Sequence, residues 1–480
     1  MRLIFVELLT FSKTEDKFKE KIVMELCKRV IDFVQIINEE GDVRLCGWLK
    51  DGGIIGRLTD NTMEEIYHST EAELVRTYHA NKDYSNCNPN QCAYVANNNV
   101  EKNFIQIDEV PKLPPALYLA YENVCNYRCV MCGIPDCMKH ADADEREKKL
   151  DKIDAELLKV LPYVKKIGAN GLGELFVSKH TLKLLSEWQP IADPAECFVE
   201  LETNGSLFNE KNWSRISNLG QYHLSVTITV LSFDEGIYQE LSGTTLPISN
   251  LIDNLHFVKS LREKEIINHL GFTMVYQEKN FRELPQFVKR CFEEFAADRI
   301  NLRPVDVWGE DDMKCWFRDV RNEYHPYYKE FLEVMKNPIL KDPRVRDGGG
   351  GKPSGLGPEP YVRMRAKYHL MENIFCDENF EKEMAKEIET KRVVVYGMTI
   401  VGKALTSRLR ENYEIPFLMD RGMNGQKYMG IPIFAVNYLK GLDRNVTVIV
   451  ALDRNEDAVV KLLKREGFQK VISINDLARN

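Results

Sequence analysis

The chain of 480 residues contains no apolar run approaching the ~20 residues that a membrane-spanning helix needs. It also lacks surplus positive charge, since 65 Lys and Arg stand against 73 Asp and Glu for a formal net charge of −8. That balance argues against general binding to nucleic acid or to an anionic membrane. No export signal is evident: the apolar start, Met1 to Thr10, is interrupted by Glu7, is followed by the charged run Lys13 to Lys21, and has no small-residue cleavage site. It reads as a strand. Spread cysteine pairs of the kind that make a disulfide framework are missing too. The twelve cysteines fall mostly into local groups, which fits metal-bound thiolates in a reducing cytoplasm. A chain this long is expected to hold roughly two to four domains, each with its own core.

What is present centres on Cys125-Asn-Tyr-Arg-Cys129-Val-Met-Cys132, directly after the strand-like stretch Ala116 to Tyr121. Three thiolates on one short loop can hold three irons of a [4Fe-4S] cube and leave the fourth iron open to a substrate or cofactor. A structural zinc site is the alternative, with Cys137 and His140 close enough to complete it. Further strand ends carry polar and glycine-rich segments: Asn170-Gly-Leu-Gly-Glu174 after Val164 to Ala169, Thr203-Asn-Gly-Ser-Leu207 after Cys197 to Glu202, and Ser232-Phe-Asp to Gly243 after Leu224 to Leu231. Glycine at a strand end lets a ligand approach the backbone. Two more strands are expected near His269 to Tyr276 and Arg299 to Val307, with a helix over Leu284 to Phe295 between them. The six repeats describe an α/β fold, a partial (β/α)6 TIM barrel over 111–340, with all these motifs at its carboxyl face.

The cysteine spacing and the three ordered strand-end segments resemble the radical SAM superfamily. The resemblance implies that Cys125, Cys129 and Cys132 ligate a [4Fe-4S] cluster whose open iron chelates S-adenosylmethionine. It further implies that Gly171, Gly173 and Glu174 grip the methionyl amino group, and that Thr203, Asn204, Thr229 and Ser232 lie along the rest of the cofactor. Ser232, Asp234, Tyr238 and Gly243 match the family's fourth-strand segment, but Ser242 stands where an arginine is expected. An electron donor such as flavodoxin or ferredoxin is implied, with a peptide or a sugar-type biosynthetic intermediate as substrate.

A second group, Cys27, Cys46, Cys87 and Cys92, lies around two strands joined at Glu-Gly-Asp, followed by helix-like Met63 to Ser69 and Ala72 to His79. Four cysteines saturate one [4Fe-4S] cube, and a four-cysteine zinc ribbon is the alternative. Residues 1–110 resemble the SPASM or twitch module, which implies an auxiliary iron-sulfur cluster, although that module ordinarily follows the barrel. Single cysteines such as Cys197, Cys291 and Cys376 read as buried small hydrophobes, whereas Cys137 and Cys315 lie where a radical quencher or further ligand could act.

Beyond a linker and helix at 341–390, containing Gly348-Gly-Gly-Gly351, residues 391–480 alternate strands and helices and read as a Rossmann-like domain. Its Gly397-x4-Gly402 is a fragment of the dinucleotide fingerprint, with Thr399 in place of the second glycine and Asp420 where a ribose-binding acid belongs. A docking or substrate-recognition role is expected of this domain. The reading from another class is a non-catalytic iron-sulfur or zinc protein that binds through it.

Overall fold

The computed structural model describes residues 24–88, 92–132, 143–169, 172–305, 317–347, 358–377, 380–388, 390–435, 442–452 and 456–474. The expected strand over Met1 to Thr10, together with Cys137, His140, Gly171, Cys315 and Gly348 to Gly351, lies outside them. The chain divides into two compact units, one from Met1–Gly309 and Glu333–Gly351, the other from Glu310–Leu332 and Lys352–Asn480. No helix among the described residues is long and apolar enough to cross a membrane.

The first unit is an α/β layer around a ten-stranded, mostly parallel sheet. Its strands are β2 (Val34–Ile36), β3 (Asp42–Arg44), β4 (Ile54–Arg57), β6 (Ala116–Leu119), β7 (Lys166–Ala169), β8 (Phe198–Thr203), β9 (His223–Thr229), β10 (His269–Tyr276), β11 (Arg299–Pro304) and β12 (Val345–Asp347). A separate antiparallel pair joins β1 (Met24–Cys27) to β5 (Phe104–Ile107). From β6 to β12 the parallel strands follow one another in chain order, so every crossover steps the same way. With right-handed crossovers, such winding sends the connecting helices to one face. Alternate burial agrees: Val199 and Leu201, Leu224, Val226 and Ile228, and Ile300 and Leu302 are buried. The residues between them, Glu200, Glu202, Ser225, Thr227, Thr229, Asn301 and Arg303, are half-buried or exposed and polar. Strands β4 and β12 end the sheet, and among the described residues it does not close on itself.

Two features depart from the sequence reading. The expected cysteine-bearing hairpin forms as β2 and β3, but it is not separate from the expected barrel segment, because β2 pairs parallel with β6 and so extends the main sheet through β3 and β4. The helix expected over Ile153 to Leu161 begins ten residues earlier, at Ala143–Val160. Its charged first half masks an apolar stripe of Leu150, Ile153, Leu157 and Val160, all buried and spaced at three or four residues. The charges have partners on the β2–β3 turn, Arg146 reaching Glu39 at 2.8 Å and Lys149 reaching Glu40 at 2.5 Å.

The second unit carries a six-stranded sheet in the order β15-β16-β14-β13-β17-β18, from β13 (Val393–Tyr396), β14 (Leu418–Met419), β15 (Lys427–Tyr428), β16 (Ile431–Phe434), β17 (Thr447–Val450) and β18 (Lys470–Ser473). All pairs but β15–β16 are parallel, and the order reverses between β13 and β17. The helix Pro358–Cys376 occupies a stretch read from sequence as linker.

Gly41, at the β2–β3 turn, has φ +72°, and an added Cβ would lie 3.0 Å from Ile153 and 3.1 Å from Leu58. Gly41→Ala is therefore expected to lower stability by about 1–3 kcal/mol through left-handed strain and crowding. Chemical denaturation measures it, and an unchanged midpoint would show that this turn is not docked on the long helix.

Candidate functional site

The cysteine loop leaves the carboxyl end of β6 and is tied down by its backbone. The Arg128 N–H donates to Ser242 O at 2.8 Å and the Val130 N–H to Leu241 O at 2.9 Å, both at the end of the helix Glu235–Ser242. Gly243 ends that helix with φ +62°, and a Cβ there would fall 2.5 Å from Arg128 O, so the close approach needs glycine. Within the loop, the Tyr127 N–H donates to Cys125 Sγ at 3.4 Å and the Cys132 N–H to Cys129 O at 2.9 Å. Cys125 and Cys129 are half-buried, Cys132 is exposed, and none is in a disulfide. Tyr127 meets Tyr238 hydroxyl to hydroxyl at 2.5 Å in a buried pair. Burial pushes both phenols up, keeping them protonated.

The segment after β7 docks on the same loop. Gly173 has φ +101°, and a Cβ would lie 2.5 Å from Val124 O. The Glu174 N–H donates to that same Val124 carbonyl at 2.6 Å. The Glu174 carboxylate, 2 % exposed, accepts from the Thr203 hydroxyl at 2.5 Å, from the Asn204 N–H at 2.7 Å and from the Phe176 N–H at 3.3 Å. Burial pushes its pKa up while these donors hold it back. Asn204 in turn donates to Asn126 Oδ1 at 3.0 Å, and Asn126 donates to the Ser206 hydroxyl at 2.9 Å. Cysteine loop, Gly173-Glu174 and Thr203 to Ser206 thus form one hydrogen-bonded assembly at one sheet edge.

Ser232 is fully buried and donates to the Glu283 carboxylate at 2.7 and 2.9 Å. Thr229 is half-buried on the open face of β9. Ser242 donates to Tyr238 O at 2.5 Å within its own helix, so this segment's visible task is to anchor the cysteine loop.

The second cysteine group converges as well. Cys27, Cys46, Cys87 and Cys92 are all buried and line one pocket with Arg29, Trp48 and His79. Cys27 Sγ accepts from Asn103 Nδ2 and Cys46 Sγ from Arg29 Nε, each at 3.3 Å. Arg29 itself lies 4.0 Å from the ring centres of both Phe33 and Trp48. His79 approaches Cys87 Sγ at 3.6 Å, and its buried Nδ1 has no hydrogen-bond partner. Burial pushes the Cys87 thiol up to about 12, with the other three cysteines adding to the effect, and pushes His79 down to about 4. A donor set of four soft sulfurs around an orphaned buried polar atom fits a thiophilic metal group. A tetrahedral zinc with Zn–S near 2.3 Å would hold its sulfurs about 3.8 Å apart. Among the described residues no three cysteines bring their sulfurs within 4.8 Å of one another, so neither group has that compact geometry. Because β3 runs antiparallel to β2, Cys27 and Cys46 lie at the amino edge of the β2–β6 pair, opposite the Cys125 loop.

Sequence reading missed a buried network under the loop. Tyr121 donates to Asp154 at 2.6 Å, His180 pairs with the other Asp154 oxygen at 2.9 Å and reaches Glu147 at 3.3 Å, and the Glu122 carboxylate accepts the Lys179 and His180 N–H groups at 3.0 Å. Asp154 raises the His180 pKa chiefly by that hydrogen bond. Asp151, Asp154 and His180 lie within metal-ligand distance, but these partners already engage Asp154 and His180. The signal was in the sequence only as an i, i+3 acid pair, Asp151 and Asp154, and a lone histidine 26 residues further on.

In the second unit, Asp420 accepts from the Met398 N–H at 2.8 Å and from the Gly422 N–H at 2.8 Å. Thr399 donates to Ala451 O at 2.9 Å across the point where the strand order reverses. Asp420, placed where a ribose-binding acid would belong, is thus holding the turn after β13.

Two outcomes check these contacts. Gly243→Ala should displace the cysteine loop and speed alkylation of half-buried Cys125 and Cys129, with far-UV dichroism unchanged; unchanged rates would remove the helix end from its anchoring role. In the metal-free chain at pH 9, a thiol held near 12 is thiolate only on the order of a thousandth of the time, so Cys87 should alkylate far more slowly than exposed Cys132 and speed up only at higher pH. Mass spectrometry of alkylated peptides reads both rates, and equal rates would contradict the enclosed pocket. No family model matches this chain, and no curated protein matches it either.

Proposed function

We propose that the first unit is a radical SAM enzyme built on a partial (β/α)6 barrel. The observation that carries this reading is the joining of the Cys125–Cys129–Cys132 loop to Gly173-Glu174 and to Thr203-Asn204 through direct hydrogen bonds at one carboxyl edge. The chain-order winding of β6 to β12 supports the barrel reading, although among the described residues the sheet stays open and continues past β6 into β2, β3 and β4.

Cys125, Cys129 and Cys132 would hold a [4Fe-4S] cluster, with the Tyr127 N–H to Cys125 Sγ bond tuning it. When bound, that cluster supplies the electron that reductively cleaves S-adenosylmethionine to a 5′-deoxyadenosyl radical, which abstracts hydrogen from the substrate. Because the Glu174 carboxylate is engaged by Thr203 and Asn204, the methionyl amino group falls to the backbone around Gly173, and Glu174 acts as a positioning residue. Gly173 keeps that backbone bare. Thr229 offers a hydroxyl to the nucleoside side. The buried tyrosine pair and the Tyr121–Asp154–His180 network fix the base of the loop against movement during electron entry.

Cys27, Cys46, Cys87 and Cys92 would hold a second cluster at the other sheet edge, placed for electron relay or structural support rather than for contact with the radical. The second unit serves substrate recognition or docking, and a peptide or sugar-type intermediate is the substrate class.

Anaerobic reconstitution with iron and sulfide should load ~4 irons per site, and dithionite with S-adenosylmethionine should release 5′-deoxyadenosine. The Cys125→Ala, Cys129→Ala, Cys132→Ala variant should lose that product entirely; cleavage equal to the parent would overturn the assignment. A variant lacking the other four cysteines should lose about half the iron, as four-iron sites of equal size require. Iron binding without any cleavage by the parent would favour a non-catalytic iron-sulfur protein, and zinc uptake in place of iron would favour a zinc protein.

A further inference from the structure

Around β10, β11 and β12 the arginines fall into two kinds. Arg262 reaches both oxygens of Asp298 at 2.8 and 3.0 Å, Arg290 both oxygens of Glu294 at 2.5 and 3.2 Å, and Arg344 both oxygens of Asp342 at 2.8 and 3.0 Å. Three others, Arg299 and Arg303 on β11 and Arg346 on β12, make no hydrogen bond or ion pair among the described residues. In a chain of net charge −8, such a group is a local exception.

The three stand on one face of the sheet. Residues two apart on a strand point the same way, so Arg299, Asn301 and Arg303 stand together and alternate with buried Ile300 and Leu302. Arg346 pairs in register with Asn301 across the parallel β11–β12 ladder, and cross-strand partners share a side. Neighbouring strands lie about 4.8 Å apart and residues two apart on one strand about 6.6 Å, which puts the Cα of Arg346 about 8 Å from those of both Arg299 and Arg303. Arg299 is half-buried, while Arg303 and Arg346 are exposed. Asn301, half-buried at their centre, has no side-chain hydrogen bond among the described residues.

Acids that could neutralise this group are spent or distant. Asp298 is held by Arg262 and Asp342 by Arg344, while Asp347 pairs with Leu302 and so belongs to the opposite face. Strands β9 and β10 contain no acid, and the first on the arginine face are Glu200 and Glu202 of β8, three strands from β11. Burial, and after it the charge of Arg346, push the Arg299 pKa down. Like charges placed as close neighbours are unfavourable until an anion comes between them.

We propose that Arg299, Arg303 and Arg346 bind the diphosphate group of a ligand. One phosphoryl group lies between Arg346 and Arg299, the other between Arg346 and Arg303, and the Asn301 amide donates to an oxygen between them. Guanidinium groups grip phosphate oxygens in two-pronged forks. A lone phosphate engages only one of the two diagonal pairs, so a diphosphate gains more. That the ligand is the enzyme's substrate rests on the radical SAM reading; its binding does not.

Calorimetric titration of the full-length chain in magnesium-free buffer tests the site with pyrophosphate, orthophosphate and adenosine diphosphate. Pyrophosphate should bind more tightly than orthophosphate. Adenosine diphosphate binding at least as tightly as pyrophosphate supports an esterified ligand, and pyrophosphate binding alone supports a free one. Arg346→Gln should weaken pyrophosphate by about tenfold or more, and by more than Arg299→Gln or Arg303→Gln, because it serves both phosphoryl groups. Arg344→Gln removes the same charge from a paired arginine two residues away and should leave binding unchanged. If the parent does not bind pyrophosphate, or if Arg344→Gln costs as much as Arg346→Gln while dichroism shows both variants folded, the proposal is overturned. A parent that binds pyrophosphate but releases no 5′-deoxyadenosine after reconstitution would sink the radical reading and leave this site standing.

Discussion

The first unit depends on one buried carboxylate that has no ion-pair partner among the described residues. Glu174 sits at the end of β7, and its negative charge is held by the Thr203 hydroxyl and two backbone N–H groups, while its own N–H reaches back to the loop after β6. Removing a carboxylate from water costs several kcal/mol, and only a full set of donors offsets it. Three consecutive strand ends are therefore obliged to meet in one arrangement, because any other leaves the charge buried and unsatisfied. The cysteine loop inherits that constraint through Val124 and through Asn126, and the helix end at Leu241 to Gly243 closes it from the other side.

The same sheet then separates two cysteine groups by chain direction alone. The loop of Cys125 follows the carboxyl end of β6, whereas Cys27 precedes β2 and Cys46 follows the antiparallel β3. Even the four residues of β6 span about 13 Å at ~3.3 Å per residue. The two environments differ accordingly. One is partly open, with an exposed Cys132; the other is enclosed, with burial pushing the Cys27 and Cys87 thiols up.

The strands that carry the first cysteine group were legible because their punctuation is strong: short apolar runs, each ending in glycine or a small polar residue. The observed β8 and β9 differ from the expected ones only at their ends. The pairing of β2 with β6 was not legible, since 79 residues separate Ile36 from Ala116 and no local pattern records which edge a hairpin will join. The first half of Ala143–Val160 read as a charged stretch because its stripe is narrow, and the partners that neutralise its charges lie about a hundred residues away in the chain. Family motifs named the residues of the carboxyl edge but not their manner of action: Glu174 and Ser242 read as pocket-lining groups, yet their visible partners are other parts of the protein. The alternation that exposes Glu202 and Arg303 was readable from a strand period of two, but their lack of partners is a property of the assembled sheet.

Engaged and unengaged polar groups divide the first unit into a scaffold and a surface. A polar side chain that satisfies its neighbour stabilises one conformation and has little left to offer a ligand. One that faces water without a protein partner adds little to the fold. At the carboxyl edge, Glu174, Thr203, Asn204, Asn126, Ser206 and Ser232 belong to the first kind, and what they present outward is backbone and sulfur. On the other strand face, Thr227, Thr229 and Asn301 belong to the second, half-buried with no side-chain hydrogen bond among the described residues. A rim whose polar groups are spent on one another is held in one arrangement, and the cysteine loop joined to it is held with it.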